Sequence, residues 1–258
     1  MKIKHTILSA VLLSSLPAVA GTSAPSFVES LAPAAPSPWS CTVNLYGWAQ
    51  SLDGYVKVHN VPLPVFVTSS ELLSHLDFAA MGSVEVGYGR WSFLADMDYA
   101  SISIDQSIDN VAVTPLNHVE YKQQQFLGNF VAAYELVKTQ EVNFGVYAGA
   151  RVNYLQAEIS DRNLLDRSQS KSWVDPIIGC RIQAELSHSF FFRAGGDIGG
   201  FGVASTDTYQ AMAGFGYRFC TQGSAQLGYR VLGTNYTSGD FKYDIIASGP
   251  VLAFEARF

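Results

Sequence analysis

From residue 42 to residue 258 the sequence is built of segments whose side chains alternate between two very different faces. In "SGPVLAFEARF" (248–258), Leu252, Phe254, Ala256 and Phe258 fall on one side. Val251, Ala253, Glu255 and Arg257 fall on the other. A period of two is the period of a β-strand, so each such segment is a strand with two unlike faces. The chain therefore has to find a fold that gives every strand two different environments.

The residue types say which environments. One face carries Val84, Val86 and Tyr88, then Trp91, Phe93 and Met97, then Phe144, Val146 and Tyr154. It continues through Ile178 and Ile182, Phe190 and Phe192, Phe215, Tyr217 and Phe219, Leu227 and Tyr229, with aromatics crowding the strand ends. The other face carries Glu85, Asp96, Asp98, Arg151, Asp175, Arg181, Glu185, Arg193, Asp197, Arg218, Arg230, Glu255 and Arg257, interspersed with glycine. That is six arginines against seven acids. Of the seven lysines, two stand at the extreme N-terminus and the rest fall in loops, turns or strand ends. A sheet face washed by solvent carries lysine and glutamate in quantity. Arginine, with its planar fork, suits confined ion pairs. A balanced Arg/Asp/Glu set with glycine between reads as a packed polar interior, and the aromatic-edged face as the lipid side of a membrane barrel. Charged residues make up only 15% of the chain, against about 25% in soluble domains.

The N-terminus supports export. Lys2 and Lys4 precede a short apolar run from Thr6 to Leu16, and Ala18-Val19-Ala20 forms a small-residue cleavage site. Residues 1–20 read as a secretory signal peptide, 21–40 as a flexible Pro/Ala/Ser-rich periplasmic leader, and 41–258 as the barrel. Cleavage removes Lys2 and Lys4 and takes the formal charge from −6 to −8. An acidic chain without a basic run gives no reason to propose nucleic acid as a partner. Cys41, Cys180 and Cys220 have no metal-ligand spacing, and an odd count allows at most one intramolecular bridge.

The alternation predicts ten antiparallel strands near 42–51, 79–89, 91–104, 119–135, 141–157, 171–186, 189–199, 207–219, 223–235 and 242–258, with eight or twelve as alternatives. Connections after even-numbered strands are short ("GRW", "LSHS") and those after the early odd ones are long (52–78, 105–118, 158–170). That asymmetry, with an even count, describes an up-and-down transmembrane barrel with both termini in the periplasm and the long loops outside the cell. Pro176 and Pro250 lie inside expected strands, where a missing donor has to meet a strand start or a bulge.

Three stretches, "SWVDPIIGCRIQAEL", "GDIGGFGVASTDTYQAMAGFGYRF" and "LGYRVLGTNY…FKYDIIASGPVLAFEARF", resemble small bacterial outer-membrane β-barrels of the porin-like or OmpA-like kind. The resemblance extends over 42–258. It implies an outer-membrane location in a Gram-negative cell, lipid and lipopolysaccharide as surroundings, and barrel-assembly machinery and periplasmic chaperones as transient partners. It supplies no catalytic residue. Phe258 resembles the C-terminal aromatic that the assembly machinery reads.

Two functional readings of the lumen remain: a narrow small-solute pore, or a filled interior with a structural role. Small barrels are filled by side chains and open channels come with more strands. In the first long loop, Thr68-Ser-Ser-Glu71 fits a capping box and Leu72, Leu73 and Leu76 a short helix that either constricts the mouth or caps the rim. An outer-membrane hydrolase or protease would need a histidine with a nucleophile and an acid in reach. The mature chain offers His59, His75, His118 and His188 without diagnostic spacing. No cofactor or metal is expected.

Overall fold

The computed structural model describes residues 38–58, 61–106, 119–161 and 165–258; the signal, most of the leader, His59 and His118 lie outside these. Twelve strands and one short helix follow in chain order: β1 (Trp39–Trp48), β2 (Ser51–Val58), β3 (Val61–Val67), α1 (Ser69–Ser74), β4 (Leu76–Tyr88), β5 (Trp91–Gln106), β6 (Val119–Lys138), β7 (Val142–Asp161), β8 (Leu165–Glu185), β9 (Phe190–Gly199), β10 (Ser205–Arg218), β11 (Gly223–Ser238) and β12 (Phe241–Arg257). Strands β1 and β4 to β12 form an antiparallel ring of ten, closed where β1 pairs with β12 from Thr42↔Arg257 to Trp48↔Val251. At the seam Cys41 and Phe258 exchange backbone hydrogen bonds of 3.1 and 2.8 Å. The three cysteines are free thiols.

The two additional strands correct the reading of 52–78 as a loop with a helix. β2 is the continuation of β1 along the same neighbour. Trp48 pairs with Val251 and Ser51 with Ser248, three residues further along each strand, so the register does not shift. Beyond the break β2 pairs with β3 instead of β4, and the wall rises as a β11–β12–β2–β3 flap. On its far side β3 has no partner among the described residues. Its Pro62 and Pro64, two apart, withhold donors and blunt that edge. β7 and β8 likewise run on through most of the expected 158–170 loop.

Both prolines stand in mid-strand, where the neighbouring strand breaks. Pro250 faces the gap between β1 and β2. Ala49 donates to its carbonyl (3.0 Å), while Gln50 turns its N–H back to Trp48 (3.1 Å). The preceding residue is glycine because a Cβ there would sit 2.0 Å from the Ala49 carbonyl oxygen. Pro176 marks the height at which β9 ends. Its carbonyl takes the Gly200 N–H (3.0 Å), and above it β8 pairs with β7 alone. A missing donor costs nothing where no acceptor stands opposite.

The outer face is apolar around the ring. Leu45, Val86, Phe93, Met97, Ile178, Phe215, Leu227, Leu252 and Phe254 are all exposed. Trp39, Tyr88, Trp91, Phe190, Tyr217, Phe219 and Phe258 gather at the end bearing the short turns.

The capping box forms. The Glu71 N–H reaches Thr68 Oγ1 (3.4 Å) and the Thr68 N–H reaches Glu71 Oε2 (2.8 Å). Leu72 packs against the apolar cluster inside the barrel, whereas Leu73 and Leu76 are exposed. Hydrogen bonds from the Thr68 hydroxyl and then its backbone hold the Glu71 carboxyl below the ordinary glutamate range. A depressed carboxyl stabilises the cap above the ordinary value of 4.5 and releases it as pH falls through the lower folded value. Amide protection in α1, relative to a Thr68→Ala variant, is therefore expected to hold down to that range and to vanish below it. Protection that does not respond to acid would show the box to be inert.

Candidate functional site: the charged lumen

Every charged residue assigned by alternation to the interior belongs to an inward-facing position, and most meet in two layers. The layer nearer the short turns contains four arginines and four glutamates. Arg181 Nη2 binds Glu85 at 2.6 Å and Ser92 Oγ at 3.1 Å, with Glu135 at 3.8 Å. Arg193 binds Glu255 (2.9 Å), Gln226 (3.1 Å) and Gln183 (2.7 Å). Arg257 holds the other Glu255 oxygen at 2.6 Å. Arg218 takes both oxygens of Glu185, one of them at 2.7 Å. Phe191, 0% exposed, lies against the guanidinium groups of Arg193 and Arg218, at 5.4 and 4.6 Å from its ring centre. The glycine at 216 makes room for it, since a Cβ there would meet the ring at 2.1 Å.

The second layer is nearly dry. Arg151, 0% exposed, makes three charge-assisted bonds of 2.8 Å, to Asn129 Oδ1, Thr208 Oγ1 and Asp197 Oδ1. Tyr147 donates to the other Asp197 oxygen at 3.1 Å. Opposite, Arg230 binds Asp98 (2.9 Å) and Gln210 (2.7 Å), lies 3.7 Å from Asp96, and stacks 4.6 Å from the Trp48 ring. The Tyr46 hydroxyl stands 2.6 Å from Asp96 and 2.5 Å from Asp98. Asn129 joins the two halves by donating to Asp96 at 3.1 Å. Each nitrogen of both guanidinium groups has an acceptor, which a confined cation requires.

Above the second layer the lumen turns apolar. Trp48, Leu52, Leu127, Leu232, Ile245, Ala247 and Val251 form one cluster, and Leu155, Trp173, Tyr236 and Phe241 another. Trp173 of β8 and Tyr236 of β11 stack at 4.2 Å across the barrel mouth. The cavity among Gln125, Asn153, Leu155, Trp173, Leu232 and Ile245 measures about 20 Å³, room for about one water.

Asp175 differs from its companions. It is 0% exposed and takes the Ser205 N–H and hydroxyl, each at 2.7 Å, rather than a cation. Sequence reasoning missed Tyr46, Tyr147, Trp48 and Phe191. The first two share the alternation phase of the charged set, the only signal that pointed to them. Phe191 shares the phase of Arg193, but an aromatic on the polar face has no meaning until the arginines that flank it are known. Of the histidines, the His75 ring bonds Ser74 and the Glu71 carbonyl beside α1, and His188 lies in the β8–β9 turn.

No protein-family model and no curated protein matches the sequence. Solved structures match in fold. The outer membrane protease OmpT of Escherichia coli is 9% identical with a TM-score of 0.52, covering 86% of this chain and 98% of that one. The translocator domain of the autotransporter NalP of Neisseria meningitidis is 11% identical, TM-score 0.42, over 87% and 90%. The attachment invasion locus protein Ail of Yersinia pestis is 12% identical, TM-score 0.39, over 86% and 99%.

Proposed function

We propose that the chain is an integral outer-membrane barrel with a filled lumen, a structural membrane protein rather than an open pore. The observation that carries this reading is the sequence of barriers along one axis: Phe191 within the layer of arginines and glutamates, the Arg151 and Arg230 layer, then the Trp173–Tyr236 stack. A solute would have to part buried ion pairs in a medium that does not rehydrate them. The continuous exposed apolar face supports membrane insertion, because a soluble monomer rarely exposes a patch of such extent. The aromatics at the short-turn end suit the periplasmic interface, which leaves both termini periplasmic and the flaps outside. In this reading the barrel's partners are the lipid and lipopolysaccharide around it, and the assembly machinery and chaperones that deliver it, with Phe258 at the seam as the address.

Purified protein in planar bilayers is expected to show no unitary conductance steps, and unboiled samples are expected to migrate faster on gels than boiled ones. Steady steps from the wild-type protein would replace this reading with a pore. Recovery of the mature protein from the soluble periplasm would remove the membrane from it.

A further inference from the structure

The β9–β10 connection is an unusual construction for a surface turn. Gly200, Phe201 and Gly202 all have positive φ (83°, 49° and 72°), and Phe201 is the one non-glycine residue among those described in that region. A bulky aromatic there is strained and persists only where its surroundings fix it. They do: Val203 N–H reaches the Gly200 carbonyl (2.8 Å), Gly202 N–H the Ser205 carbonyl (3.0 Å), and Gly200 N–H the Pro176 carbonyl (3.0 Å). Beneath them the fully buried Asp175 carboxylate grips Ser205 through both oxygens. All this support displays two apolar side chains outward, Phe201 at 55% and Val203 at 70% exposure.

The height of the turn says what meets it. β9 is ten residues long, the length of one tilted membrane-crossing strand, and it starts at Phe190 in the aromatic ring of the short-turn end. Around the turn, Val174, Ile178, Ile198 and Tyr209 are exposed apolar residues of the outer face. One step further out that face becomes polar, at Ser170, Ser172 and Asp207. Phe201 and Val203 thus continue the apolar belt at its upper border, where neighbouring strands rise past it and this hairpin stops. We propose that the β9–β10 turn is a rigid prong seated in the outer leaflet at the boundary of headgroups and acyl chains, its occupant the bilayer itself. This rests on the membrane reading given above and fixes the barrel's depth and tilt on its short side.

The test places a bimane label at single cysteines in a Cys41→Ser/Cys180→Ser/Cys220→Ser background, refolded into phosphatidylcholine vesicles brominated on the acyl chain. Val203→Cys reports the prong, with Phe201→Cys as a second site in case one variant fails to fold. Leu252→Cys reports the middle of the belt and Asp240→Cys the aqueous β11–β12 turn. The prong label is expected to be quenched by lipid at least half as strongly as the Leu252 label. It should also be several-fold less open to aqueous iodide than the Asp240 label. Iodide access equal to Asp240, with Leu252 still quenched by lipid, overturns the prong and leaves the barrel in place. Shelter from both quenchers overturns it in favour of a turn packed against protein, this chain's own loops or a second copy. Loss of lipid quenching at Leu252 overturns the membrane reading and the prong together.

Discussion

Replacing Arg151 by methionine is expected to destabilise the barrel by about 3–5 kcal/mol, because one partner of a buried ion pair is removed and the other remains. Asp197 would be left dry with Tyr147 as its remaining donor, and Asn129 and Thr208 would each lose a charge-assisted bond. The double variant Arg151→Met/Asp197→Asn removes both charges and keeps the shapes close, so most of the loss is expected to return. Urea unfolding from vesicles, followed by the gel shift of the folded form, gives the coupling energy of the cycle. A double variant no more stable than the single one would mean that the arginine acts by its volume and its neutral hydrogen bonds, not by its charge.

The same pair shows which features of the lumen are legible in the sequence. The alternation placed Arg151 and Asp197 on one face of their strands, and Glu255 and Arg257 inside a strand whose other side is Leu252 and Phe254. The structure buries Val251, Ala253 and Glu255 and exposes Leu252 and Phe254, as the phase requires. Phase is local, set by the pleat, and so it is legible residue by residue. Partnership is not local. Arg230 meets Asp98 and Arg181 meets Glu85 because a closed ring with one particular stagger sets them at the same height, and no spacing in the chain encodes that stagger directly. The β2–β3 flap escaped for another reason. Gly54 interrupts the first segment, and "VPLPV" reads as a non-strand because two prolines deny it a central ladder. Those prolines are compatible with a strand because its outer side pairs with no other strand among the described residues. Asp175 looked like one more lumenal charge, and its phase gave no hint that its partner would be the start of the β9–β10 hairpin.

Phe191→Ala is expected to cost about 3–5 kcal/mol, the range for emptying a buried aromatic site. It tests the filled-lumen reading from the short-turn end. The ring packs against the guanidinium groups of Arg193 and Arg218, and its loss leaves them facing a void that water can enter. Phe191→Leu keeps most of the volume and should retain most of the stability. Gly216→Ala should destabilise alone, since its Cβ would meet the ring at 2.1 Å, yet restore part of the stability lost in Phe191→Ala by filling the same space. Conductance separates two kinds of barrier. If Phe191→Ala folds and still shows no steps in planar bilayers, the Arg151 and Arg230 layer seals the barrel by itself. If steps appear, a single side chain closes the lower half and the Arg151 and Arg230 layer above it already lets water through. Between these outcomes the geometry favours the first, because every nitrogen of the Arg151 guanidinium already has its acceptor. A passing ion would have to displace Asp197 from a site where nothing else can take its place.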